Sequence, residues 1–434
     1  MSPLSRFPAV FIKVSHFWTT QNFYRKYCQF NYSQFPGAQP ISIERKHLDD
    51  VMAKSQFLCC EKTDGVRFMM IVSQRQTILI DRNYTFYEIK MEKIPKSNQK
   101  SEIVHVFDGE LVKDKQEDYL KFLIFDALVV NGANVMSLRF EDRLKAVKNQ
   151  IIKKIRTKDY FELTKGHEGG MDDEEDFKDL DFDMNTENEQ IKLFLKDFFQ
   201  DINTKFIVEH IFPNLDHGND GIVYTMNDCP YYPGTCPQII KWKPAFMNSV
   251  DFSLKLITSY SDTEYIWGLY TRTFENPELL FDCIFFKDAE ENEKWRKLVW
   301  QSSNKNQAVI LEWAYNGDLD YDHLINFNKY RRLLMTTDLP KEEAIKKDFK
   351  LNDEVMPSAK TQLAGGWIVE RQRTDKDFPN SLGVAKNIKM CIEDPVNVED
   401  IIVAAKTFAD KYGKPGTKRP AQAPEDIDRH KMQK

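Results

Sequence analysis

Short apolar segments rich in β-branched and aromatic residues follow one another through the first half of the chain, separated by turn residues. Phe57–Cys60 and Val66–Val72 flank Thr63-Asp64-Gly65, which is typical of a hairpin turn. Strands in succession with few helices between them favour antiparallel sheets over a doubly wound fold. The further segments of this type are Thr77–Asp81, Thr85–Ile89, Ile103–Val112, Phe122–Val130, Phe206–Ile211, Gly221–Thr225 and Gln238–Trp242.

One helix stands out among these strands. Leu144, Val147, Ile151 and Ile155 recur at helical spacing on one face, with lysines around them. The pattern therefore predicts an α+β fold, with a first domain of antiparallel sheets and helices over residues 1–245.

The pattern changes after Pro244, where short strands recur with irregular loops. Five strands over this length fit a small closed barrel such as an OB-fold, which we predict for residues 246–392. The strands are Phe252–Ile257, Tyr265–Thr271, Leu279–Phe286, Ala308–Trp313 and Gly366–Arg371.

A last helix is expected within residues 393–413, packing back on the first domain. Asn397 is a candidate N-cap, and Ile401, Ala405, Phe408 and Tyr412 form an apolar face. The remaining polar tail, 414–434, is predicted to be disordered.

The net charge of −6 is concentrated in one block. Residues 168–190 hold eleven acidic side chains and one lysine, so the rest of the chain carries +4. A segment of this composition is predicted to be a disordered insertion. The remainder is compatible with a positive groove.

Seven cysteines, without paired C-x-x-C spacing, argue against a disulfide framework and a structural zinc site. A reducing interior, cytosol or nucleus, is the default expectation. No apolar run reaches the length of a membrane span, so no membrane association is expected.

The most informative stretch is Glu61-Lys62-Thr63-Asp64-Gly65-Val66-Arg67. A lysine at the end of a strand, with glycine in the next turn, lets a phosphate approach the backbone closely. An amine attacks phosphorus only when unprotonated, so such a site has to favour the neutral amine through nearby cations, a metal or desolvation. A surface hairpin whose charged side chains face water is the alternative.

Similar islands follow in order along the chain. Ile240-Lys241-Trp242-Lys243-Pro244 alternates, so both lysines point to the same side of a strand, where a polyphosphate would relieve their repulsion. Each island alone has an ordinary alternative, such as a bulged turn or a solvated strand edge. The others are Phe107-Asp108-Gly109-Glu110-Leu111, Asp220-Gly221-Ile222-Val223-Tyr224 and Arg371-Gln372-Arg373-Thr374-Asp375-Lys376.

The order K-x-D-G, F-D-G-E, D-G-I-V-Y, K-W-K-P and R-x-D-K resembles the covalent nucleotidyltransferases, which comprise capping guanylyltransferases and polynucleotide ligases. Flanking segments resemble the capping branch over residues 35–413. These segments are the lead-in Phe35-Pro36-Gly37-Ala38-Gln39-Pro40-Ile41-Ser42, Ile80-Asp81-Arg82-Asn83 with Phe86-Tyr87, Tyr232-Pro233-Gly234-Thr235, and residues 371–380.

The resemblance implies a role for each matching residue. Lys62, with Thr63 beside it in the motif, would form a phosphoramidate with GMP, and Phe125 would stack on the guanine. Arg67 and Glu110 would hold the ribose, and Arg82 would act at the RNA or phosphate side. The α-phosphate would meet Lys241 and Lys243, and the β- and γ-phosphates would meet Arg373 and Lys376, with Asp375 aiding pyrophosphate departure.

Two further assignments concern the metal and the base. Asp220, and Glu110 with it, would bring in Mg²⁺ or Mn²⁺, because hard cations take oxygen ligands. The guanine-reading lysine is placed at Lys192, with Lys196 and Lys205 nearby. A lysine ammonium can donate to guanine O6, whereas adenine offers an amino group there.

The implied reaction transfers GMP from GTP through Lys62 to the 5′-diphosphate end of RNA, in the nucleus. No loop of the His-Cys-x5-Arg type and no convincing Glu-x-Glu pair is present, so a separate RNA 5′-triphosphatase is expected. The phosphorylated C-terminal tail of RNA polymerase II is the other implied partner. The alternatives are an ATP-dependent polynucleotide ligase, which would carry AMP on the lysine, and an inactive scaffold.

Overall fold

The structure is a computed structural model with an α+β fold built on antiparallel sheets. The acidic block, the C-terminal tail and Asp375 lie outside the residues that it describes. Those residues are 11–13, 35–89, 91, 94, 103–113, 115, 119–155, 191–259, 265–286, 288–305, 307–315, 366–374 and 376–412.

The described strands of the first domain overlap the predicted apolar segments in eight of thirteen cases, because alternating side chains can be buried on a pleated surface, whereas the strands at 11–13, 38–42, 133–134, 191–195 and 199–200 were not predicted. The thirteen described strands are β1 (Phe11–Lys13), β2 (Ala38–Ser42), β3 (Phe57–Thr63), β4 (Val66–Ser73), β5 (Thr77–Ile80), β6 (Phe86–Ile89), β7 (Ile103–Lys113), β8 (Leu120–Val130), β9 (Ala133–Asn134), β10 (Ile191–Leu195), β11 (Phe199–Gln200), β12 (Asn219–Met226) and β13 (Gly234–Trp242).

These strands form two sheets among the described residues. The larger has the order β1-β6-β5-β4-β7-β8-β10, with β9 paired to β8, and the smaller has the order β11-β3-β12-β13-β2. Only the β10–β8 and β13–β2 pairs are parallel. The hairpin from β3 to β4 crosses from one sheet to the other, so the Lys62 motif lies where the two sheets meet.

An apolar core joins the sheets. Leu58 of the smaller sheet packs with Phe68, Phe107 and Phe122 of the larger sheet. Full burial of such side chains contributes roughly 1.5–3 kcal/mol each. The core therefore holds the two sheets in a defined relation and gives the residues at their junction a fixed frame.

The helix expected around Leu144–Ile155 is present. It begins as α1 (Phe140–Val147) and continues through the π-helical turn Lys148–Ile152 to Lys153–Ile155. Leu144, Val147 and Ile151 face the core, as their spacing predicts.

The prediction of a strand at Phe206–Ile211 is wrong. Thr204–Phe206 is helical and continues as the π-helical turn Ile207–Ile211. Ile207 is buried in the core beneath the smaller sheet, with Val208 and Ile211 packed against it. Their spacing fits a helical face as well as a short apolar strand, and packing against the sheet decides for the helix.

The second domain contains a five-stranded antiparallel sheet of order β16-β15-β14-β17-β18 among the described residues. Trp267, Trp313 and Trp367 are fully buried in its core. The described strands do not pair into a closed ring, so an OB-type barrel remains a prediction. The strands are β14 (Ser249–Ser259), β15 (Tyr265–Thr271), β16 (Leu279–Phe285), β17 (Ile310–Tyr315) and β18 (Trp367–Gln372).

Three longer helices follow in the chain: α2 (Ala289–Ser303), α3 (Leu382–Glu393) and α4 (Val398–Tyr412). Asn397 precedes α4, and its backbone N–H donates to Asp400 at 2.9 Å, a side-chain cap of the first turn. Ile401 is buried against the smaller sheet of the first domain. Trp242 Nε1 donates to the Val396 carbonyl at 2.7 Å, which ties β13 to the segment before α4. No helix of the described residues is long and apolar enough to cross a membrane.

Candidate active site

Lys62 lies near the end of β3, in a cluster of cations organised by one carboxylate. Its Nζ donates to Asp220 Oδ1 at 2.6 Å, and Lys243 Nζ lies 2.5 Å from Asp220 Oδ2. Burial opposes ionisation of Asp220, but the charges of Lys62 and Lys243 outweigh it and lower its pKa. Asp220 is therefore an anion that bridges two lysines.

A β-bulge aims Asp220 at these lysines. The pairing of β12 with β3 is irregular between Asn219 and Ile222. Gly221 adopts φ +150°, and a Cβ there would lie 2.0 Å from the Trp242 carbonyl oxygen. Only glycine fits this backbone, so the Asp-Gly pair of the motif is needed to make the bulge.

Lys241 completes the cluster, which we name the Asp220 cluster: Asp220, Lys62, Lys241 and Lys243. Lys241 lies on β13, and Lys243 follows directly after the end of this strand. Burial, followed by the charges of Lys62 and Lys243, lowers the pKa of Lys241 to about 8, although Asp220 opposes the shift. Three cations around one carboxylate leave a net positive site that suits a phosphate.

Arg67 lies on β4 between two aromatic rings. Its Cζ is 5.1 Å from the ring centre of Phe125 and 5.5 Å from that of Phe35. Its Nε and Nη2 donate to Asp108 at 2.9 and 2.6 Å. Burial alone would lower the pKa of Arg67, but Asp108 raises it. Arg67 is thus a buried cation that supports the inner face of Phe125.

The lead-in segment, residues 35–42, packs against Arg67 and Tyr231. A Cβ on Gly37 would lie 2.3 Å from the Phe35 ring and 2.7 Å from Arg67 Nη2. Tyr231 donates its hydroxyl to Asp108 Oδ2 at 2.5 Å and accepts from the Ala38 N–H at 3.2 Å. Gly37 therefore permits a close approach that a side chain would prevent.

Glu110 stands opposite Arg67 in the register of β4 and β7. Its Oε2 is buried and has no hydrogen-bond partner within the described part of the chain. Burial raises the pKa of Glu110, while the charges of Lys196, Lys62, Arg67 and Arg82 oppose the shift. An unsatisfied buried acceptor is costly to a protein unless a ligand uses it, so Glu110 is a candidate for a hydroxyl or a cation.

The structure brings Lys196, not Lys192, to Phe125. Lys196 is buried, with Nζ 5.9 Å from the centre of the Phe125 ring. Lys192 stands opposite Lys121 in the parallel β10–β8 pair, and its Nζ lies 4.0 Å from the centre of the Tyr119 ring. Lys192 and Lys196 are four positions apart, which corresponds to about 13 Å of extended chain.

Three first-domain candidates remain, and they lie beside or outside the pocket around Phe125 and Glu110. Thr63 is buried and donates to Glu61 Oε1 at 3.2 Å. Arg82 is exposed, yet its charge acts on Glu110 and on Lys241. Lys205 is exposed and pairs with Glu209 one helical turn away, which leaves it outside the pocket.

A second group of cations lies in the second domain, and we name it the Asp251 cluster: Asp251, Arg373 and Lys376. Arg373 Nη1 donates to Asp251 Oδ1 at 2.9 Å, and Lys376 forms an ion pair with Asp251 Oδ2. Arg373 also lies 3.6 Å from Glu312. The cations of the last motif are therefore engaged with carboxylates of their own domain.

Family comparison agrees with this geometry. The catalytic-domain model of mRNA capping enzymes matches residues 10–169 and 170–245, and the C-terminal-domain model matches residues 247–402. The chain belongs to the mRNA capping enzyme family.

Named relatives in the family are similar over most of their length. The mRNA-capping enzyme subunit alpha of Schizosaccharomyces pombe is 28% identical over 87% of this chain and 81% of its own. The subunit of the same name from Yarrowia lipolytica is 27% identical over 92% of this chain and 88% of its own. The subunit of that name from Saccharomyces cerevisiae is 24% identical over 85% of this chain and 77% of its own.

The structure places the predicted site residues of this capping enzyme in three separate groups. Lys62, Lys241, Lys243 and Asp220 meet in one cluster, and Arg67, Glu110 and Phe125 line the adjoining pocket with Thr63. Arg373 and Lys376 form the separate Asp251 cluster, while Lys192 lies against Tyr119. The largest charges that act on Lys241 come from the first domain.

Sequence reasoning missed several residues that shape the site. Tyr231 and Asp251 had no motif-level signal, because their partners lie far away in the chain, and Glu61 was visible only as the residue before Lys62. Asp108 was visible inside F-D-G-E, but its pairing with Arg67 required the register of β4 and β7.

Proposed function

We propose that this chain is an mRNA guanylyltransferase. In the first step Lys62 Nζ, having lost its proton, attacks the α-phosphorus of GTP; a P–N bond forms, the bond to pyrophosphate breaks, and GMP remains on Lys62. In the second step a terminal oxygen of a 5′-diphosphate RNA displaces Lys62 and yields GpppRNA. The observation that carries the proposal is the Asp220 cluster, which surrounds one candidate nucleophile with phosphate-binding cations.

The cations at the end of β13 would act on the α-phosphate. Negative charge builds up on the oxygens around phosphorus during transfer, and fixed cations stabilise it. Lys243 is paired with Asp220 beside Lys62, and the charges of all three residues act on Lys241. They are therefore positioned before the nucleotide arrives.

The pocket beside them would hold the nucleoside. Phe125, backed by Arg67, offers a ring on which a purine can stack. Glu110 Oε2 is an acceptor for a ribose hydroxyl, with Arg67 and Arg82 close to it. Lys196 Nζ would donate to guanine O6, the role that we had assigned to Lys192.

The second domain would supply the contacts to the leaving group. For Arg373 and Lys376 to grip the β- and γ-phosphates, they have to exchange Asp251 for phosphate oxygens. We propose that the domain closes on GTP and opens to release pyrophosphate and admit RNA. Asp375 is part of the same proposal.

A divalent ion, Mg²⁺ or Mn²⁺, fits the donors present. Asp220 is ionised and Glu110 Oε2 lacks a partner, and carboxylate oxygens are what hard cations prefer. No cluster of three or more metal-binding side chains is found among the described residues, so phosphate oxygens would complete the coordination. Such an ion would offset the charge of the phosphates.

The cellular setting follows from the same proposal. A guanylyltransferase acts on RNA whose γ-phosphate has already been removed, so a separate RNA 5′-triphosphatase is a proposed partner. The phosphorylated tail of RNA polymerase II is proposed as the second partner, and the nucleus as the place of action.

The decisive experiment is transfer of label from the nucleotide to the protein. The wild-type protein is incubated in parallel with GTP and ATP labelled at the α-phosphate, with Mg²⁺ or Mn²⁺, and analysed under denaturing conditions. We expect label from GTP only, and none in Lys62→Ala. Lys54→Ala changes an exposed lysine and serves as the matched control.

Each alternative has its own outcome. Label from ATP would identify a polynucleotide ligase, and no label from either nucleotide would identify an inactive scaffold. Guanylate that stays bound to Lys62→Ala would overturn the assigned nucleophile.

A further inference from the structure

Glu61, the residue before Lys62, has a buried side chain in contact with three other residues. Its Oε1 accepts from Thr63 Oγ1 at 3.2 Å and lies 3.3 Å from Lys196 Nζ and 3.5 Å from His217 Nε2. Its carbonyl oxygen accepts from Lys196 Nζ at 3.1 Å. Glu61 thus meets Lys196 twice, through the side chain and through the backbone.

These contacts account for most of the donor capacity of Lys196. An ammonium group carries three N–H donors and no acceptor. Contacts with Glu61 use two of them. Among the described residues the third N–H has no other acceptor, and the nitrogen lies 5.9 Å from the centre of the Phe125 ring, where a stacked base would present its edge.

The pair is ionised although both partners are buried. Burial opposes both charges, yet Lys196 and His217 lower the pKa of Glu61, and Glu61 is the largest charge that raises the pKa of Lys196. Buried ion pairs of this type contribute little net stability compared with apolar replacements. The pair therefore calls for a role other than stability.

His217 adds a second support. Its Nδ1 lies 2.9 Å from Asp216 Oδ1, and Asp216 forms an ion pair with Lys121 of β8. A chain of contacts thus links β8, through Asp216 and His217, to the Glu61 carboxylate. The position of Lys196 Nζ is consequently set by a connected group and not by its own flexible side chain.

We infer that Glu61 is a positioning residue for base recognition: it holds Lys196 Nζ where the 6-oxygen of a guanine stacked on Phe125 accepts its free N–H. Because the accepting carbonyl belongs to the Glu61–Lys62 peptide, the base and the nucleophile are fixed on neighbouring residues of β3. This inference rests on the proposed guanylyltransferase function.

The test measures nucleotide discrimination in the first step. kcat/KM for formation of the covalent enzyme–nucleotide is determined with GTP and with 2-aminopurine riboside triphosphate, which keeps the 2-amino group but lacks the 6-oxygen. Glu61→Gln and Lys196→Met are each expected to lower the ratio of the two values roughly tenfold, the size of one charge-assisted hydrogen bond. The double variant should lose no more than Lys196→Met alone, since Glu61 acts through Lys196.

Two controls separate positioning from other roles. The ratio for GTP over ITP, which keeps the 6-oxygen and lacks the 2-amino group, should not change in Glu61→Gln; a change would place Glu61 against the 2-amino group and overturn the inference. Glu209→Gln changes an exposed carboxylate and should leave all ratios as in the wild type.

The remaining outcomes are also decisive. If Glu61→Gln lowers kcat/KM equally for both nucleotides, Glu61 is merely structural and the inference fails. If Glu61→Gln does not fold, Glu61→Asp keeps the charge and provides the test, and its ratio should fall between wild type and Lys196→Met. A wild-type enzyme that takes no GMP overturns the proposed function as well, whereas normal labelling with an unchanged ratio overturns only the role of Glu61.

Discussion

Asp220 and Asp251 each form ion pairs with two of the candidate phosphate-binding cations, and the surroundings of the two aspartates differ. Asp220 bridges Lys62 and Lys243 at the junction of the sheets, and about a quarter of its side chain is exposed. Asp251 holds Arg373 and Lys376 in the second domain with 6% of its side chain exposed. The first cluster has an excess of cations, because Lys241 adds a third, while the second is closer to balance with Glu312 beside Arg373.

The difference indicates two ways to bind phosphate. The Asp220 cluster is held on paired strands with net positive charge, so an anion can join it without breaking an internal ion pair. In the Asp251 cluster, a phosphate has to compete with a buried carboxylate for the same donors. Under the proposed function, binding at the second cluster is therefore conditional, which suits a group that would release pyrophosphate after the first step.

The largest effect on activity is expected for Lys62→Arg, which keeps the charge of the Asp220 cluster and removes the amine that would attack phosphorus. A guanidinium is not deprotonated in proteins and cannot attack phosphorus. Covalent labelling with GTP should fall about 10³-fold or more. Thermal unfolding should stay close to the wild type, since the cation beside Asp220 remains; a labelled Lys62→Arg protein would show that the cluster is not the site of attack.

Arg373→Gln is expected to slow only the first step, by about 10²-fold. Arg373 would contact the leaving phosphates, which are absent once GMP is attached to Lys62. Enzyme guanylated beforehand should transfer GMP to 5′-diphosphate RNA at the wild-type rate, measured in a single turnover. An equal loss in both steps would contradict the separation of the two clusters.

The pH dependence of nucleotide binding reports on Lys241. Its pKa is about 8 in the free protein, and a bound phosphate would favour the charged form. The affinity for the α,β-methylene analogue of GTP, which cannot react, should fall above about pH 8, by up to tenfold. Lys241→Arg, which stays charged, should remove this inflection in a titration calorimetry series.

The lowered pKa of Lys241 also makes the free energy of unfolding depend on pH. Because the pKa of Lys241 in the folded chain lies below its ordinary value of 10.5, the unfolded chain binds more protons between about pH 8 and 10.5. The contribution of Lys241 to the free energy of unfolding therefore rises with pH across this window. Lys241→Met should reduce that rise.

Asp251→Asn tests the competition within the second cluster. With a neutral side chain, Arg373 and Lys376 are held less firmly and are more available to phosphates. We expect the affinity for inorganic pyrophosphate to rise about fivefold, with a loss of about 1–2 kcal/mol in the free energy of unfolding. Lower pyrophosphate affinity would show that Asp251 positions these cations instead of competing for them.

The smallest effect is expected for Lys192→Gln, since this lysine belongs to neither cluster. Its Nζ lies against Tyr119, about four strand residues from the base pocket. Both steps should change less than about twofold, within the usual range of surface substitutions. Lys196→Gln is the matched variant and should lower GTP selectivity; a strong effect of Lys192→Gln would restore the assignment made from sequence.

Much of the fold was predictable where local pattern and burial agree. Tyr265–Thr271 was predicted as a strand with the bounds that the structure has, and the α1 helix followed from four apolar residues. The strand prediction at Phe206–Ile211 was wrong because the four apolar residues of this six-residue segment fit a helical face as well as a short strand. The choice between Lys192 and Lys196 as the guanine-reading lysine stays a prediction, because the order of motifs does not give distances across a sheet.

The sequence by itself determined the candidate nucleophile, the alternation of Lys241 and Lys243 and the glycines of the motifs, because these depend on residues a few positions apart. Only the tertiary structure decided which charges meet. Asp220 reaches Lys62 across 158 residues, Tyr231 reaches Asp108 across 123, and Arg373 reaches Asp251 across 122. Such pairs are set by strand register and packing, since electrostatic and hydrogen-bond energies depend on distances in space that no local pattern contains.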